Sequence, residues 1–464
     1  ISKIGLIALV VSSSIGSGIF GITNDLAMSA APGPAIIAWI IVGIGILALV
    51  LSLNNLGAKR PDLDGGIFGY AEAAFGKLGG FISGWGYWLS AWLGNVAFAT
   101  MLMSAIGEFI PAFKGGQNIP SILLASVFIW VLTFLVNNGI ESASYINTIV
   151  TICKLVPLFL FMVIALVSFH VDIFSADFWG NVSSSLQSGA SVSLWSQIKG
   201  CLMVMMWVFV GIEGASVLAN RAEKRSDAQK ASVIGLLSLL VIYVLASLLP
   251  YGVMSQAELM ALPQPAMANI LRYMVGEWGA AFINIGLIIS IIGCWLSWTM
   301  LPVETTLLMS RDGMLPKSWG KVNRKQAPSY SLFITAALTN VFLLTFLVTD
   351  YAYQFAYSMC TAAILICYLL VGIYQMIYSY QQKDNKQLFI GAVATAFQII
   401  GITLAGFAYV LLCSIAYLPG FYFYLRACKE NNYQISNRQK IVMAVVSLAA
   451  VLSIVAIATG MISV

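Results

Sequence analysis

The chain has very little charge. Asp, Glu, Lys and Arg make up only 9% of its 464 residues, whereas hydrophobic residues make up 60%. Soluble domains carry roughly 25% charged residues, so this composition indicates a polytopic membrane protein. The 23 basic residues form no run that is dense enough to indicate a nucleic-acid partner, and the expected surroundings are the lipid bilayer.

Residues that hold metals or cofactors are also scarce. The chain has one histidine, His170, and its seven cysteines are scattered without any C-x-x-C pair. Such cysteines are typical of small buried side chains and not of a disulfide or metal framework. Nothing in the sequence resembles a Walker loop. We therefore expect no metal, no cofactor and no ATP-driven reaction.

Long apolar runs are what the sequence has in abundance. A window of about 20 apolar residues is long enough to cross a bilayer. Thirteen such windows fall at residues 4–28, 35–56, 80–110, 119–137, 144–169, 196–219, 231–254, 277–308, 330–349, 353–379, 387–405, 407–427 and 440–462. The eleventh and twelfth meet at Gly406 and are the least distinct pair. We predict an all-α integral membrane protein with about 12–13 transmembrane helices.

The basic residues are unevenly distributed among the loops. With the N-terminus inside, 19 of the 23 lie on the inner side, and the outer loops keep only Lys114 and Arg272. Lys154 and Lys199 lie in or beside spans. The positive-inside rule therefore predicts a cytoplasmic N-terminus. We expect a multi-pass protein of a cell membrane, of bacterial type. Thirteen spans would then place the C-terminus outside.

Two of the apolar spans contain glycine-rich breaks. The first span contains Ser12-Ser13-Ser14-Ile15-Gly16-Ser17-Gly18-Ile19-Phe20, and the sixth contains Gly211-Ile212-Glu213-Gly214. In hydrocarbon, a loosened helix survives only where protein or water covers its backbone. Paired breaks in corresponding halves are typical of a transporter binding site. The alternative is that these small residues serve only helix packing.

The positions of the two breaks indicate internal repeats. They lie in the first and sixth spans, as expected for two repeats of five spans each, and because five is odd the second repeat must be inverted. Spans 3 and 8 are both long and aromatic, which agrees with this division. We predict a first repeat at residues 1–170 (spans 1–5), a second at residues 196–380 (spans 6–10) and three further spans at residues 387–464.

The breaks carry chemistry suited to a zwitterion. Unwinding the first one exposes N–H groups at the start of a half-helix, whose dipole favours an anion such as a carboxylate. Freed carbonyls from Trp207 to Gly211 would suit an ammonium. Glu213, an acid inside a span, is costly to bury and is expected to be functional. The alternative is a structural carboxylate that caps nearby N–H groups.

These motifs resemble those of the basic amino acid/polyamine antiporters of the amino acid–polyamine–organocation superfamily. The resemblance rests on Gly16-Ser17-Gly18-Ile19-Phe20, Tyr87-Trp88-Leu89-Ser90-Ala91-Trp92-Leu93-Gly94-Asn95 and Trp207-x-Phe209-x-Gly211-x-Glu213. It extends through residues 295–304 and covers essentially the whole chain. Residues 202–216, followed by residues 220–227, are most similar to arginine–ornithine antiporters.

The resemblance implies a five-plus-five inverted-repeat fold with its site at the midplane. Ser17 and Gly18, with Ser14 and Gly16, would hold the substrate carboxylate. The carbonyls of Ser14, Trp207 and Val210 would hold the α-amine. The other implied site residues are Trp207 and Trp298, which would stack on the side chain and gate the exits, Tyr87 as an outer gate, Asn95 beside the site, Glu213 in the pH response, and one of Met359, Cys360 and Thr361 from span 10.

Two further charged residues lie within spans. Lys154, in the fifth span, should face carbonyls, hydroxyls or an acid, because a buried ammonium is unfavourable in hydrocarbon. In similar sodium-independent transporters a lysine stands where relatives bind sodium, which implies that Lys154 bridges spans 1 and 8 near Ser297 and Thr299. It would be either a structural cation or a proton carrier. Asp25 is expected to face an outer vestibule, where it could attract cations.

The leading hypothesis is a secondary antiporter that exchanges a cationic amino acid for its metabolic product by alternating access, with arginine and ornithine as the first couple. Lysine/cadaverine exchange, histidine/histamine exchange and proton-coupled amino acid uptake keep the same fold. A membrane enzyme that uses Ser196 and Lys199, or Glu213, is a different class, and a channel is a third. The expected partner is a small amino acid or amine, and a monomer or a homodimer fits the sequence equally.

Overall fold

The protein is built from helices alone in the residues that the structure describes. These are residues 1–63, 66–180, 193–217, 222–347 and 352–461 of a computed structural model. Positions 220 and 221, which belong to the motif and to the basic loops considered above, lie outside them. Ten of the described helices are long and apolar enough to cross a membrane, or eleven with the bent pair of span 1, and two shorter apolar helices are Leu194–Val208 and Ser329–Phe342. Each of the thirteen predicted spans therefore coincides with a helix or a broken helix.

The first five spans and the turn after them contain seven helices. They are α1 Lys3–Ser14, α2 Gly18–Ala27, α3 Pro32–Lys59, α4 Ile67–Gly107, α5 Ile119–Asn137, α6 Ile140–Val167 and α7 Val171–Ser175. The first span consists of α1 and α2, which meet at an angle of 40°. Helix α4 bends at Gly76, where φ is 76°, a backbone conformation that glycine adopts without steric cost.

The described residues from 193 onward contain eleven α-helices. They are α8 Leu194–Val208, α9 Gly214–Val217, α10 Arg225–Leu248, α11 Gln256–Met260, α12 Ala266–Val275, α13 Glu277–Arg311, α14 Ser329–Phe342, α15 Ala352–Gln381, α16 Asn385–Ile400, α17 Phe407–Glu430 and α18 Asn437–Ala458. Helices α8 and α9 form the broken sixth span. The ninth span is longer than α14, because α14 continues as the 3₁₀ turn Leu343–Leu347.

The eleventh and twelfth spans are separate helices joined by the π-helical turn Gly401–Gly406. Near the start of α16, the Gln387 carbonyl accepts a hydrogen bond from Gln375 at the end of α15 (3.2 Å). Near the start of α17, Cys413 Sγ donates to the Met359 carbonyl near the beginning of α15 (3.6 Å). The two helices therefore run in opposite directions along α15, as two membrane spans should.

The helix ends form two faces. On one, which we call the basic face, Lys59 pairs with Asp384 (3.1 Å) and Lys77 donates to the carbonyl of Asp312 (3.0 Å). On the other, which we call the opposite face, Arg272 pairs with Glu108 at 3.1 Å. These exposed ion pairs contribute little to stability, but they show which helix ends meet.

The two broken spans run in opposite directions between these faces. Helix α1 begins at the basic face, where the Ile1 carbonyl accepts a hydrogen bond from the Glu223 N–H (3.0 Å). Helix α8 begins at the opposite face, where the Gln197 side chain accepts from the Ala31 N–H (3.0 Å). This is the arrangement that an inverted repeat requires, while the repeat boundaries stay a prediction.

Aromatic side chains fill much of the interior near the basic face. Interfacial belts are the default position for Trp85, Trp179 and Trp319 in a membrane protein. Trp179 is half exposed, but Trp85 and Trp319 are buried, with their ring centroids 6.1 Å apart. The belt expectation is therefore wrong for these two, which join α4 to the chain after α13.

Candidate functional site

The two helix breaks pack directly against each other in the interior. Ser13 Oγ donates a hydrogen bond to the Gly211 carbonyl (2.9 Å). Gly211 has φ of 108°, and a Cβ atom there would lie 2.8 Å from the carbonyl carbon and oxygen of Ser13. Only glycine combines this conformation with this approach. The first and sixth spans are thus joined where both are unwound.

The first break presents several hydrogen-bond donors. Helix α1 ends at Ser14 and α2 begins at Gly18, so the first N–H groups of α2 have no partner within the helix. The hydroxyls of Ser14 and Ser17 are buried, and neither has a hydrogen-bond partner among the described residues. Together with the helix dipole, these donors suit a carboxylate.

A cavity with about 310 Å³ of empty space lies between the breaks and three neighbouring helices, α4, α13 and α15. Its lining consists of Ser13, Ser14, Gly16, Gly18, Gly94, Phe98, Trp207, Val208, Val210, Trp298 and Cys360. A Cβ atom on Gly18 would lie 2.8 Å from the Trp207 ring, so the glycine allows the indole to close over the first break.

Six of the ten residues proposed from the sequence to bind substrate line this cavity. They are Ser14, Gly16, Gly18, Trp207, Val210 and Trp298, whereas Ser17, Tyr87, Asn95 and Gly211 do not appear in the lining. Gly211 lies immediately behind it, against Ser13. Of the three candidates from span 10, the structure places Cys360 in the lining.

Gly94 and Phe98 of α4 are lining residues that the sequence reasoning missed. They are four residues apart on one helix, so both project from the same side. The Phe98 ring lies 6.4 Å from that of Trp207 and adds a third aromatic wall. Their spacing of four residues was the feature of the sequence that could have identified them.

Asn95 faces elsewhere. Together with Thr133, Thr299 and Thr335 it lines a second cavity of about 270 Å³ between α4, α5, α13 and α14. Its Oδ1 is buried and has no partner in the described part of the chain. We expected Asn95 beside the first cavity, and the structure places its side chain in the lining of the second.

Four side chains close the cavity toward the basic face, and we call them the basic-face cover: Trp298, Tyr87, Glu213 and Tyr368. Trp298 Nε1 donates to the Ser13 carbonyl (2.8 Å), and the Tyr87 ring lies 5.7 Å from that of Trp298. Tyr368 Oη donates to Glu213 Oε2. Tyr87 was expected at the outer exit, so its place beside Trp298 and Glu213, toward the basic face, is a correction.

Glu213 is fully buried within this cover. Its Oε2 accepts hydrogen bonds from Tyr368 and from the Gly211 N–H (3.2 Å). The Tyr87 hydroxyl is also buried and lies close enough to interact with the Glu213 carboxylate. The carboxylate therefore does cap a freed backbone N–H, as the structural alternative requires, and it also lies at the base of the cavity.

Three aromatic residues close the cavity toward the opposite face, and we call them the opposite-face cover: Trp207, Tyr353 and Tyr357. Tyr357 stacks on Trp207 with ring centroids 4.9 Å apart and an interplanar angle of 24°. Tyr353 meets the same indole edge-on at 5.9 Å. Offset stacking and edge contacts are the favoured geometries of aromatic pairs.

Lys154 supports the first break from behind. Its Nζ is buried and donates to the carbonyls of Ser12 (3.0 Å) and Ile15 (2.7 Å) and to Ser12 Oγ (3.1 Å). Ser290 of α13 donates to the same Ile15 carbonyl (3.0 Å). Lys154 thus lies where spans 1 and 8 meet, as expected.

The residues of span 8 at this contact differ from the expected ones. Ser297 and Thr299 donate to carbonyls one turn earlier in their own helix, so Ser290 takes their place. In the described chain, no group of three His, Cys, Asp or Glu side chains could hold a metal ion.

The chain is similar over its whole length to known transporters. A family model described as amino acid permease matches residues 1–419. An arginine/ornithine antiporter of Latilactobacillus sakei is 57% identical, over 99% of this chain and 97% of its own. One from Pseudomonas aeruginosa is 39% identical over 97% and 95%, and an arginine/agmatine antiporter of Chlamydia caviae is 36% identical over 98% and 96%.

A solved structure agrees with the helical architecture. It is the substrate-bound, outward-open state of a Na⁺-coupled sialic acid symporter, with a TM-score of 0.54 and 11% identity, over 86% of this chain and 88% of that one. At so low an identity the match shows the fold alone. Because the family model and the full-length relatives cover nearly all of the sequence, the chain belongs to the amino acid permease family of multi-pass membrane transporters.

Proposed function

We propose that this protein exchanges arginine for ornithine across a bacterial cell membrane. The observation that carries the proposal is the 57% identity, over nearly the full length of both chains, to a protein named arginine/ornithine antiporter. The relatives from Lactococcus lactis with 45% and 43% identity carry the same description. The cavity adds a physical reason for this substrate class.

The cavity suits the head group that arginine and ornithine share. The hydroxyl of Ser14 and the N–H groups at the start of α2 would bind the carboxylate. Carbonyls of the second break, including that of Val210, would accept from the α-ammonium. If the head group binds in this way, Ser17 would lie just behind the carboxylate and Gly211 just behind the α-ammonium.

Aromatic rings suit the cationic side chains. Trp207, Trp298 and Phe98 line the cavity, and none of the described lining residues is acidic. A cation over an aromatic face gains about 0.5–2 kcal/mol, which is a modest amount. Rings can therefore accept a guanidinium or an ammonium and release either one, as exchange requires.

The same reasoning gives an orientation and a coupling mode. The positive-inside rule assigns the basic face to the cytoplasm. The two covers would then open alternately, with the basic-face cover leading inside and the opposite-face cover outside. Three oxygens solvate the Lys154 ammonium, which favours a fixed structural cation and strict exchange over a proton carrier.

Counterflow in proteoliposomes tests the couple. Vesicles are loaded with ornithine, and uptake of labelled arginine is measured with and without an uncoupler. Saturable uptake that depends on internal ornithine and resists the uncoupler is expected. The same vesicles loaded with agmatine, cadaverine, histamine or no amine separate the related couples.

Each alternative predicts a different result in this assay. Uptake that internal ornithine does not stimulate would exclude the arginine/ornithine couple. Uptake that collapses with the uncoupler would identify proton-coupled transport. Linear, unsaturable flux would identify a channel.

A further inference from the structure

Asp25 is an acid at the end of the first span that the mechanism above does not use. It lies on α2, two residues before the helix ends, near the opposite face. The residue is partly exposed, but its Oδ2 atom is buried and has no hydrogen-bond partner among the described residues. A buried carboxylate oxygen without a partner is costly and points to a missing cation or donor.

The other oxygen of Asp25 has a weak neighbour. Gln264 Nε2 lies 3.5 Å from Oδ1, and the same amide donates to the Gly21 carbonyl (3.3 Å). The adjacent Asn24 is engaged, because its Nδ2 lies within hydrogen-bond distance of the carbonyls of Leu259 and Met260 at the end of α11 and of Leu262 just after it. These contacts fix the end of α2 and leave one carboxylate oxygen of Asp25 unsatisfied.

The Asp25 carboxylate lies near the opposite-face cover. Both Tyr353 and Tyr357 are close enough to interact electrostatically with the Asp25 carboxylate. The Tyr353 hydroxyl is also buried, and it lies next to the buried Ser17 hydroxyl. Buried polar groups therefore continue from Asp25 past Tyr353 to Ser17, which lies at the start of α2 behind the cavity.

In the described part of the chain, no basic side chain forms an ion pair with this acid. None of the ion pairs found in the described residues includes Asp25, and Arg272 on the same face is paired with Glu108 and Glu277. Tyr353 and Tyr357, which interact with Asp25, pack their rings against Trp207, whereas Asp25 itself does not line the cavity. A cation that binds at Asp25 would therefore be held outside the cover and in contact with aromatic faces.

We propose that Asp25, Tyr353 and Tyr357 form a second substrate site, which binds the guanidinium or ammonium of an incoming amino acid before the opposite-face cover opens. The site rests on the proposed function, because it concerns the same cationic substrate. It acts from the opposite face alone. Movement of the ring of Tyr357 off Trp207 would then admit the substrate from this site to the cavity.

The test compares Asp25→Asn with Asp172→Asn. The first removes the charge and keeps the shape and the Gln264 contact, whereas Asp172 is an exposed acid on α7 at the same face. Initial rates of arginine uptake are measured in intact cells, and rates from the cytoplasmic side are measured in inverted vesicles. We expect Asp25→Asn to raise the external KM for arginine roughly tenfold, in the range of a lost charged hydrogen bond, with the internal KM unchanged.

Two further measurements separate binding from structural support. Citrulline, which is close to arginine in shape and neutral in its side chain, should compete equally well in the wild type and in Asp25→Asn. The external KM of the wild type should rise with ionic strength, and that of Asp25→Asn should respond less. Tyr353→Phe removes one hydroxyl and should raise the external KM severalfold or less.

The outcomes that overturn the site differ from those that overturn the couple. An equal external KM for arginine in the wild type and in Asp25→Asn excludes the second site, as does an equal loss of affinity for arginine and citrulline, or an equal change at both faces. Absence of arginine/ornithine exchange in the wild type overturns the proposed function instead. Binding of labelled arginine to the purified wild type and Asp25→Asn proteins then still decides the role of Asp25.

Discussion

The two covers of the cavity contain the same kinds of residue but are stabilised differently. Each has a tryptophan against the cavity and two tyrosines next to it, and an acid lies in or near each cover, Glu213 in the basic-face cover and Asp25 near the opposite-face cover. In the basic-face cover, hydrogen bonds connect Trp298 to Ser13 and Tyr368 to Glu213. In the opposite-face cover, the contacts described above are ring contacts of Trp207 with Tyr353 and Tyr357.

This difference indicates which cover opens with less cost. A hydrogen bond to a charged group contributes about 1.5–3 kcal/mol, and a neutral one about 0.5–1.5 kcal/mol. An aromatic pair contributes about 0.5–1.5 kcal/mol beyond its buried area and allows sliding. We therefore expect the opposite-face cover to open more readily in the absence of substrate. Substitutions in one cover, or in the helix breaks on which both covers close, test this comparison.

The largest effect is expected at Lys154, which supports the break that both covers close on. Lys154→Ala leaves the carbonyls of Ser12 and Ile15 without their donor in a buried position. Each buried acceptor left without its donor costs about 1–3 kcal/mol. We expect exchange in proteoliposomes to fall by on the order of 100-fold or more, with both covers affected.

A matched lysine distinguishes this from a general effect of charge. Lys199 lies in the first turns of α8 and belongs to no ion pair found among the described residues. Lys199→Ala should keep most of the exchange activity. Full activity of Lys154→Ala would show that the buried ammonium does not support the break.

Gly211→Ala should disrupt the contact between the two breaks. The new Cβ would lie 2.8 Å from the Ser13 carbonyl, at a φ of 108° that alanine adopts only with strain. Such strain costs on the order of 1–3 kcal/mol before any clash is counted. We expect a lower thermal midpoint in detergent and exchange reduced by tenfold or more. Gly43→Ala is the control, because its Cβ would meet Leu240 at an ordinary 3.5 Å. Equal midpoints for the two variants would contradict the tight contact.

The sequence predicted the helices and the breaks better than it predicted directions around a helix. Apolar length and glycine position are local properties, so thirteen spans and both breaks could be read from the chain. The direction in which a side chain projects from its helix is harder to predict. A helix turns by about 100° per residue, so Gly94 and Phe98 project within about 20° of the direction of Tyr87. Asn95 projects about 80° away from that direction. Asn95 was chosen for its polarity and consequently faces the second cavity. The same arithmetic could have identified Phe98.

Long-range partners could not be predicted at all. Ser290 and not Ser297 reaches the Ile15 carbonyl, because the choice depends on how far span 8 slides along the unwound first span. Tyr368 was missed for the same reason. It is one of several tyrosines in span 10, and only the packing of α15 brings it to Glu213.

Trp298→Phe and Trp207→Phe test the two covers separately. The first removes the hydrogen bond to the Ser13 carbonyl, while the second keeps a ring to stack on Tyr357. We expect exchange to fall roughly tenfold in Trp298→Phe and only a few-fold in Trp207→Phe, in line with one buried hydrogen bond.

The thiol of Cys360 reports which cover has loosened. It lines the cavity, whereas Cys153 is the exposed cysteine and is replaced by serine in all variants. A membrane-impermeant thiol reagent should label Cys360 faster from the cytoplasmic side in Trp298→Phe. Faster labelling from the outer side in that variant would reverse the comparison.

Glu213→Gln is expected to give the smallest change at one pH and a clear change across pH. Glutamine keeps an oxygen that can accept from Tyr368 or from the Gly211 N–H, so the cover should persist with a loss of a few-fold in rate. Glutamine cannot titrate, so the pH profile of exchange should become flatter.

Tyr368→Phe keeps the Glu213 carboxylate and removes one hydrogen-bond donor to it, so the pH profile of this variant should move along the pH axis without flattening. Profiles measured from pH 5 to 9 in proteoliposomes distinguish the two roles. If Glu213→Gln and the wild type respond to pH identically, Glu213 only caps the second break, and pH acts on another group.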